Sequence, residues 1–248
     1  KHPQIDLRVK TADAEAIKDA RPDRDEPSVS VLLAHNPFKT GTGGSNPTTV
    51  TFSINDTTQP TITSGTSGIN IDENSGANQL VYTITATDNA SVSSYAIGGT
   101  DAGHLTINPL NGQVTLNVDP VYTTKNSYSF TVTATDATGN VSDPQTVTFS
   151  INDTTQPSIT SGSEGINLDE GSGAGQEVYT ITATDNVNIA SYAIGGTDAS
   201  LLSVNSSNGK VTLNANPVYD SKNSYSFTAT ATDTAGNVSN PKTVNFYI

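Results

Sequence analysis

The residues with the most chemical potential in this chain are aspartates and asparagines that recur at fixed places. Asp88 and Asp185 end the string TATD, and Asp136 and Asp233 end the TATD of TATDATGN and TATDTAGN. Asn55-Asp56 and Asn152-Asp153 lie in two copies of INDTTQP, and Glu73 and Glu170 follow Asp72 and Asp169. Carboxylates gathered within a few ångströms repel one another and resist ionisation unless a counter-charge is present. Arginine is not available to provide it. Residues 1–47 hold seven basic and seven acidic residues, whereas 48–248 hold four lysines, no arginine and 17 acids, so the net charge of -13 sits entirely in the latter. A hard cation is the simplest replacement, and calcium takes six to eight oxygens from carboxylates, amides and carbonyls. Zinc is disfavoured, because the chain has no Cys and its three His (His2, His35, His104) fall outside the repeated pattern.

The elements that must position these acids follow from an internal repeat. SINDTTQP occurs at 53–60 and 150–157, VYTITATDN at 81–89 and 178–186, SYAIGGTDA at 94–102 and 191–199, and KNSYSF at 125–130 and 222–227. The offset, 97 residues each time, is the length of a whole domain and too long for a solenoid unit. TTVTFSIND at 48–56 matches QTVTFSIND at 145–153, which makes 48–59 the last strand and linker of a preceding unit. The chain then divides into an N-terminal extension (1–47), that strand and linker (48–59), repeat 1 (60–152) and repeat 2 (153–248).

Each repeat reads as all-β. FTVTATD and VTFSI alternate apolar and polar residues, and VYTITATD does so with Tyr82, Ile84 and Ala86 on one face. Turn signals separate about seven short strands, near 61–65, 69–71, 79–87, 93–98, 104–116, 127–135 and 145–151. That pattern predicts a seven-stranded Greek-key β-sandwich of immunoglobulin-like type, in tandem. Strand-end and linker acids would then collect at the poles, where repeats meet.

The residues also resemble a known family. INIDENSGANQLVYTITATD (69–88) is similar to the opening of a cadherin repeat, FTVTATDATGN (130–140) to its Ala-x-Asp-x-x-Gly strand end, and Ile54-Asn55-Asp56 before Pro60 to its inter-repeat linker. The near-identical copies are similar to the cadherin-like arrays of bacterial surface adhesins. The resemblance spans about 53–248 and implies calcium at each junction, stiffening the rod. Carried over residue by residue, it implies Glu73, Asn152, Asp153, Asp185 and Asp233 as ligands at the junction of repeats 1 and 2. At the first linker it implies Asn55, Asp56, Asp88 and Asp136, and it assigns Glu170 to a further repeat. The chain departs from the family pattern at Ser53 and Ser150, at one extra linker residue before Pro60 and Pro157, and at Val121-Tyr122-Thr123 and Val218-Tyr219-Asp220. Fewer ions per junction are therefore expected than the family's three, about one or two. With no Trp, adhesion through a swapped tryptophan strand is not available.

The functional expectation is a non-enzymatic, extracellular structural or adhesion protein of a bacterial cell surface or biofilm, with neighbouring cadherin-like repeats as partners. A pI near 4.3 argues against nucleic acid, and no apolar run approaches a membrane span. The lack of a starting Met suggests a processed chain or a fragment. Two alternatives stand beside this reading. One is an extracellular filament subunit donating residues 5–9 or 28–34 as a strand to another copy. The other is a carbohydrate- or ice-binding module using the threonine-rich faces. No carboxylate lies among the aromatic and His residues of a sugar-cleaving cleft, so catalysis is not expected.

Overall fold

A computed structural model describes residues 28–31 and 50–248. Two short strands come first: β1 (Ser28–Val31) and β2 (Val50–Ser53). In repeat 1 follow β3 (Thr61–Ile62), β4 (Ile71–Asp72), β5 (Gln79–Thr83), β6 (Ala86–Thr87), β7 (Val92–Gly98), β8 (Leu105–Ile107), β9 (Gln113–Leu116), β10 (Ser127–Asp136) and β11 (Gln145–Asn152). Repeat 2 holds β12 (Ser158–Ile159), β13 (Glu177–Thr180), β14 (Ala183–Thr184), β15 (Ile189–Gly195), β16 (Leu202–Val204), β17 (Lys210–Leu213), β18 (Ser224–Asp233) and β19 (Lys242–Tyr247). One sheet of repeat 1 runs β4-β11-β10-β7, and it faces a second sheet, β5-β9-β8. Repeat 2 repeats the plan as β15-β18-β19 over β13-β17-β16.

Alternation builds the inner faces as expected on β10 and β11. Tyr128, Phe130, Val132, Ala134 and Asp136 are buried on the first, Val147, Phe149 and Ile151 on the second. Tyr128 stacks on Phe149 at 4.9 Å, and Tyr82 meets Phe130 edge-on at 6.0 Å. Each fully buried aromatic contributes roughly 1.5–3 kcal/mol. The two repeats have separate cores, one around Phe130 and Phe149, the other around Phe227 and Phe246.

The expected strand over 79–87 divides in two. The register shifts between Leu80 and Tyr82, which is a β-bulge, so Val81 and Tyr82 are both buried although adjacent. Tyr82 spends its hydroxyl on the Gly65 carbonyl. Past Thr83 the chain leaves β9 and pairs β6 with β3 instead. The Ile84 amide bonds the Gly112 carbonyl at the break. Gly112 is itself required there: its φ is +71°, and a Cβ would lie 2.4 Å from the Ile84 oxygen.

β1 pairs with β2 in the same chain, antiparallel, with Ser28 opposite Ser53 and Val31 opposite Val50. Ser127 opposite Ser150 and Phe130 opposite Val147 is the same register in β10 and β11. The match extends into sequence, since Ser45-Asn46-Pro47 before β2 reads like Ser239-Asn240-Pro241 before β19. Segment 28–31 is thus paired within the chain, while 5–9 and 32–34 lie outside the described residues.

Candidate metal centres

β10 and β18 each end in a buried aspartate that the next turn wraps. Oδ1 of Asp136 accepts from the Thr138 and Asn140 amides at 2.8 and 2.9 Å, and Oδ2 accepts from Asn140 Nδ2 at 2.8 Å. Asp233 is wrapped likewise by the amides of Gly236 and Asn237 and by Asn237 Nδ2. Burial pushes the Asp136 carboxyl up, but the Asn140 and Thr138 donors outweigh it and hold it at about 2. The same contest, between burial and donors led by Asn237, leaves Asp233 below its ordinary value. Asn140 and Asn237 also reach back to the linkers, bonding the carbonyls of Asp56 and Asp153 at 3.1 and 3.2 Å. The Gly-Asn ending of ATGN and TAGN was the sequence signal for this role, although those asparagines were not singled out as site residues.

Two aspartates join each of these. Asp56, Asp88 and Asp136 bring one oxygen apiece within 4.8 Å of one another, and Asp153, Asp185 and Asp233 do the same. In each linker or strand-end aspartate one oxygen is anchored by an amide two residues on: Thr58 on Asp56 Oδ1, Ala90 on Asp88 Oδ2, Thr155 on Asp153 Oδ1 and Val187 on Asp185 Oδ2. The other oxygen of each (Asp56 Oδ2, Asp88 Oδ1, Asp153 Oδ2, Asp185 Oδ1) is buried with no hydrogen-bond partner. Buried polar atoms are normally satisfied. Here four are not, they are carboxylate oxygens, and they repeat at equivalent positions in two triads.

Among the described residues no lysine relieves them. Lys125, Lys210 and Lys222 pair with Asp101, Glu177 and Asp198, away from both triads. An oxygen-only set of three carboxylates with open lone pairs fits a hard divalent ion such as calcium.

The remaining expected ligands stand outside the triads. Asn152 is exposed and its amide donates to Asp72 at 2.9 Å, and Asn55 is exposed. Glu73 is 5% exposed and lies beside the second triad, bonded to the linker. Asn186, which the sequence reading passed over, donates to Glu73 Oε1 at 3.2 Å and to Asp153 Oδ1 at 3.3 Å. Burial and the neighbouring Glu73 raise the Asp153 carboxyl. Glu73 is held at about 2: burial pushes it up, and hydrogen bonds with Thr155, Asp153 and Thr154 more than reverse that. Glu170, its copy, is exposed and accepts from the Tyr219 amide at 3.4 Å.

No family model and no curated protein matches the chain. Solved structures do. Human protocadherin-24 EC1-2 is 19% identical with a TM-score of 0.50, over 77% of this chain and 97% of that one. Drosophila N-cadherin EC1-4 is 22% identical with a TM-score of 0.50, over 77% of this chain and 49% of that one. Likeness at such identity is a likeness of fold, and residues 60–248 accordingly fold as cadherin-like β-sandwiches.

Proposed function

We propose that the chain is a calcium-stiffened extender, a non-enzymatic adhesion or structural element of an extracellular surface, bacterial by its resemblance to surface-adhesin arrays. The observation that carries this is the pair of aspartate triads with four buried, unpartnered carboxylate oxygens. The ligands are Asp56, Asp88 and Asp136 at the first linker and Asp153, Asp185 and Asp233 at the second. Calcium supplies the positive charge that cancels repulsion among three acids. The protein holds those acids in place by anchoring one oxygen of each linker and strand-end aspartate on a backbone amide.

The proposed units are repeat 1 at 60–152 and repeat 2 at 153–248. The shared register of β1-β2 and β10-β11 supports β1 and β2 as the last two strands of a further unit. The filament alternative gains no support from the cis pairing of 28–31. The carbohydrate or ice alternative has no described aromatic platform in its favour. No helix among the described residues is long and apolar enough to cross a membrane.

Titration of the metal-free chain tests the reading. Calcium at a hundredfold excess over its Kd stabilises by about 2.7 kcal/mol per site, so the Tm should rise by several degrees and fall again with EDTA. An unchanged Tm and an unchanged length in X-ray scattering would refute the proposal.

A further inference from the structure

Aspartate stands before proline twice in the chain, at Asp119-Pro120 and Asp143-Pro144, both in repeat 1. Repeat 2 carries Asn216-Pro217 and Asn240-Pro241 at the equivalent places. The pairing has a chemistry of its own. Proline makes the preceding bond a tertiary amide, and its ring nitrogen takes a proton more readily than a secondary amide nitrogen does. A carboxyl is a competent nucleophile when held against its target. That of an aspartate reaches its own backbone carbonyl carbon by closing a five-membered ring, and asparagine brings no carboxyl to that position.

The fold treats the two bonds differently. Asp119 Oδ1 is taken by the Gly76 amide at 2.7 Å, Pro120 is buried, and the Pro120 carbonyl accepts from the Asn74 amide at 2.8 Å. Asp143 and Pro144 are both exposed, on the turn between β10 and β11. Ser142 before them is buried, and its amide is fixed on the Ala134 carbonyl at 2.9 Å. Its Oγ accepts from the Ala134 amide at 3.0 Å and donates to the Asp143 carbonyl oxygen at 3.1 Å. The hydroxyl is thus aimed at the oxygen on which negative charge gathers when the carbonyl carbon is attacked.

We propose that Asp143-Pro144 is an acid-triggered self-cleavage site whose two pieces stay together after the cut. The Asp143 carboxyl oxygen adds to the Asp143 carbonyl carbon, the bond to the Pro144 nitrogen breaks, and that nitrogen leaves with a proton drawn from the medium. The cyclic anhydride left on Asp143 takes up one water and opens to two carboxyls, so the sum is hydrolysis of one peptide bond. Ser142 steadies the oxyanion. The cut falls just before β11, which pairs with β10 from Ser127 opposite Ser150 to Val132 opposite Gln145, and with β4 at Ile151 and Asn152. Gln145 Nε2 donates to the Ser64 and Gly65 carbonyls at 2.8 and 3.0 Å, and Val147, Phe149 and Ile151 lie in the core of repeat 1. Repeat 2 is then held to repeat 1 by strand pairing and packing alone, a joint that acid prepares and load or denaturant releases. No ion takes part, so the cut stands apart from the calcium reading.

Incubation of the full chain at pH 4, with circular dichroism following the fold, tests this. The expected products, separated in denaturant and weighed by mass spectrometry, are residues 1–143 and 144–248, the second beginning Pro-Gln-Thr-Val. In the folded chain cutting after Asp143 should exceed cutting after Asp119 by at least about tenfold. Asp143→Asn, which copies Asn240 of repeat 2, should abolish the cut in a chain that stays folded. Ser142→Ala should slow it about tenfold, less than the roughly 10²–10³-fold that loss of such a donor costs in a water-excluded site. Returned to neutral pH, the cut chain should elute from gel filtration with its full mass and come apart only in denaturant. No cut over several days, a cut only once the sheet signal is lost, or a preference for Asp143 no larger than in guanidinium overturns the proposal. An unslowed Ser142→Ala variant overturns the part given to Ser142, and pieces that separate at neutral pH overturn the joint.

Discussion

Asp56 and Asp153 occupy equivalent positions in identical linkers, yet their carboxyls move in opposite directions. Asp56 is lowered, chiefly by the Thr58 amide and then by Asn89. Asp153 is raised, by burial and by Glu73 alongside. Deeper burial together with one added neighbour reverses the sign, which shows how little an isolated aspartate says about its own chemistry. Asp101 gives a residue-scale test away from the metal. Burial raises its carboxyl, but the Ser129 amide and Lys125, 3.1 Å away, lower it further than burial lifts it. A depressed folded pKa stabilises the protein above the unfolded value near 4 and is lost as pH falls through the folded one. Asp101→Asn should therefore cost about 1–2 kcal/mol at pH 7 and less at pH 2.5, as the carboxyl begins to take up its proton. Equal costs at the two pH values would refute this assignment.

At the scale of the element, the break between β5 and β6 depends on one close backbone approach. The bulge at Leu80–Tyr82 buries two consecutive side chains, and the Ile84 amide then turns to Gly112. Gly112→Ala places a Cβ on the Ile84 carbonyl at a left-handed φ. The expected cost is about 2–4 kcal/mol, read as a lower denaturation midpoint for repeat 1. Gly209→Ala, where the Cβ would meet Ile181 at 2.3 Å, should do the same to repeat 2. Gly139→Ala is a useful contrast: its φ is +95° but no atom lies within 4 Å, so only the backbone penalty remains. If the Gly112 and Gly139 variants melt alike, the close approach is not what matters.

At the scale of the molecule, the separate cores predict separable unfolding. Each repeat buries its own aromatic cluster, so the metal-free chain should melt in two transitions in EDTA. On the proposed reading calcium at the second triad ties linker to repeat 2, while Glu73 accepts from the linker amides of Thr154 and Thr155. The transitions should draw together when calcium is added, as measured by calorimetry. Two transitions that stay equally far apart with and without calcium would contradict coupling through the junction. Gly112→Ala provides the assignment, since it should move one transition only.

The amino-acid sequence by itself determined the repeat, the β class and the identity of the acids. Alternation in FTVTATD and VTFSI is a local consequence of period-two geometry, and near-identical copies 97 residues apart need no coordinates to be seen. Which face Val81 takes was not legible, because a bulge depends on the partner strand and not on the strand's own residues. Nor were the hydrogen-bond partners of the expected site residues: Asn152 donates to Asp72, and Glu73 accepts from Thr154, Thr155 and Asn186. Asn186 became significant only once the fold set it against Glu73 and Asp153, and the reach of Asn140 and Asn237 to the linker carbonyls of Asp56 and Asp153 was visible only in three dimensions. Only the tertiary structure showed which oxygens are left without a donor, because satisfaction of a buried polar atom is a property of everything packed around it.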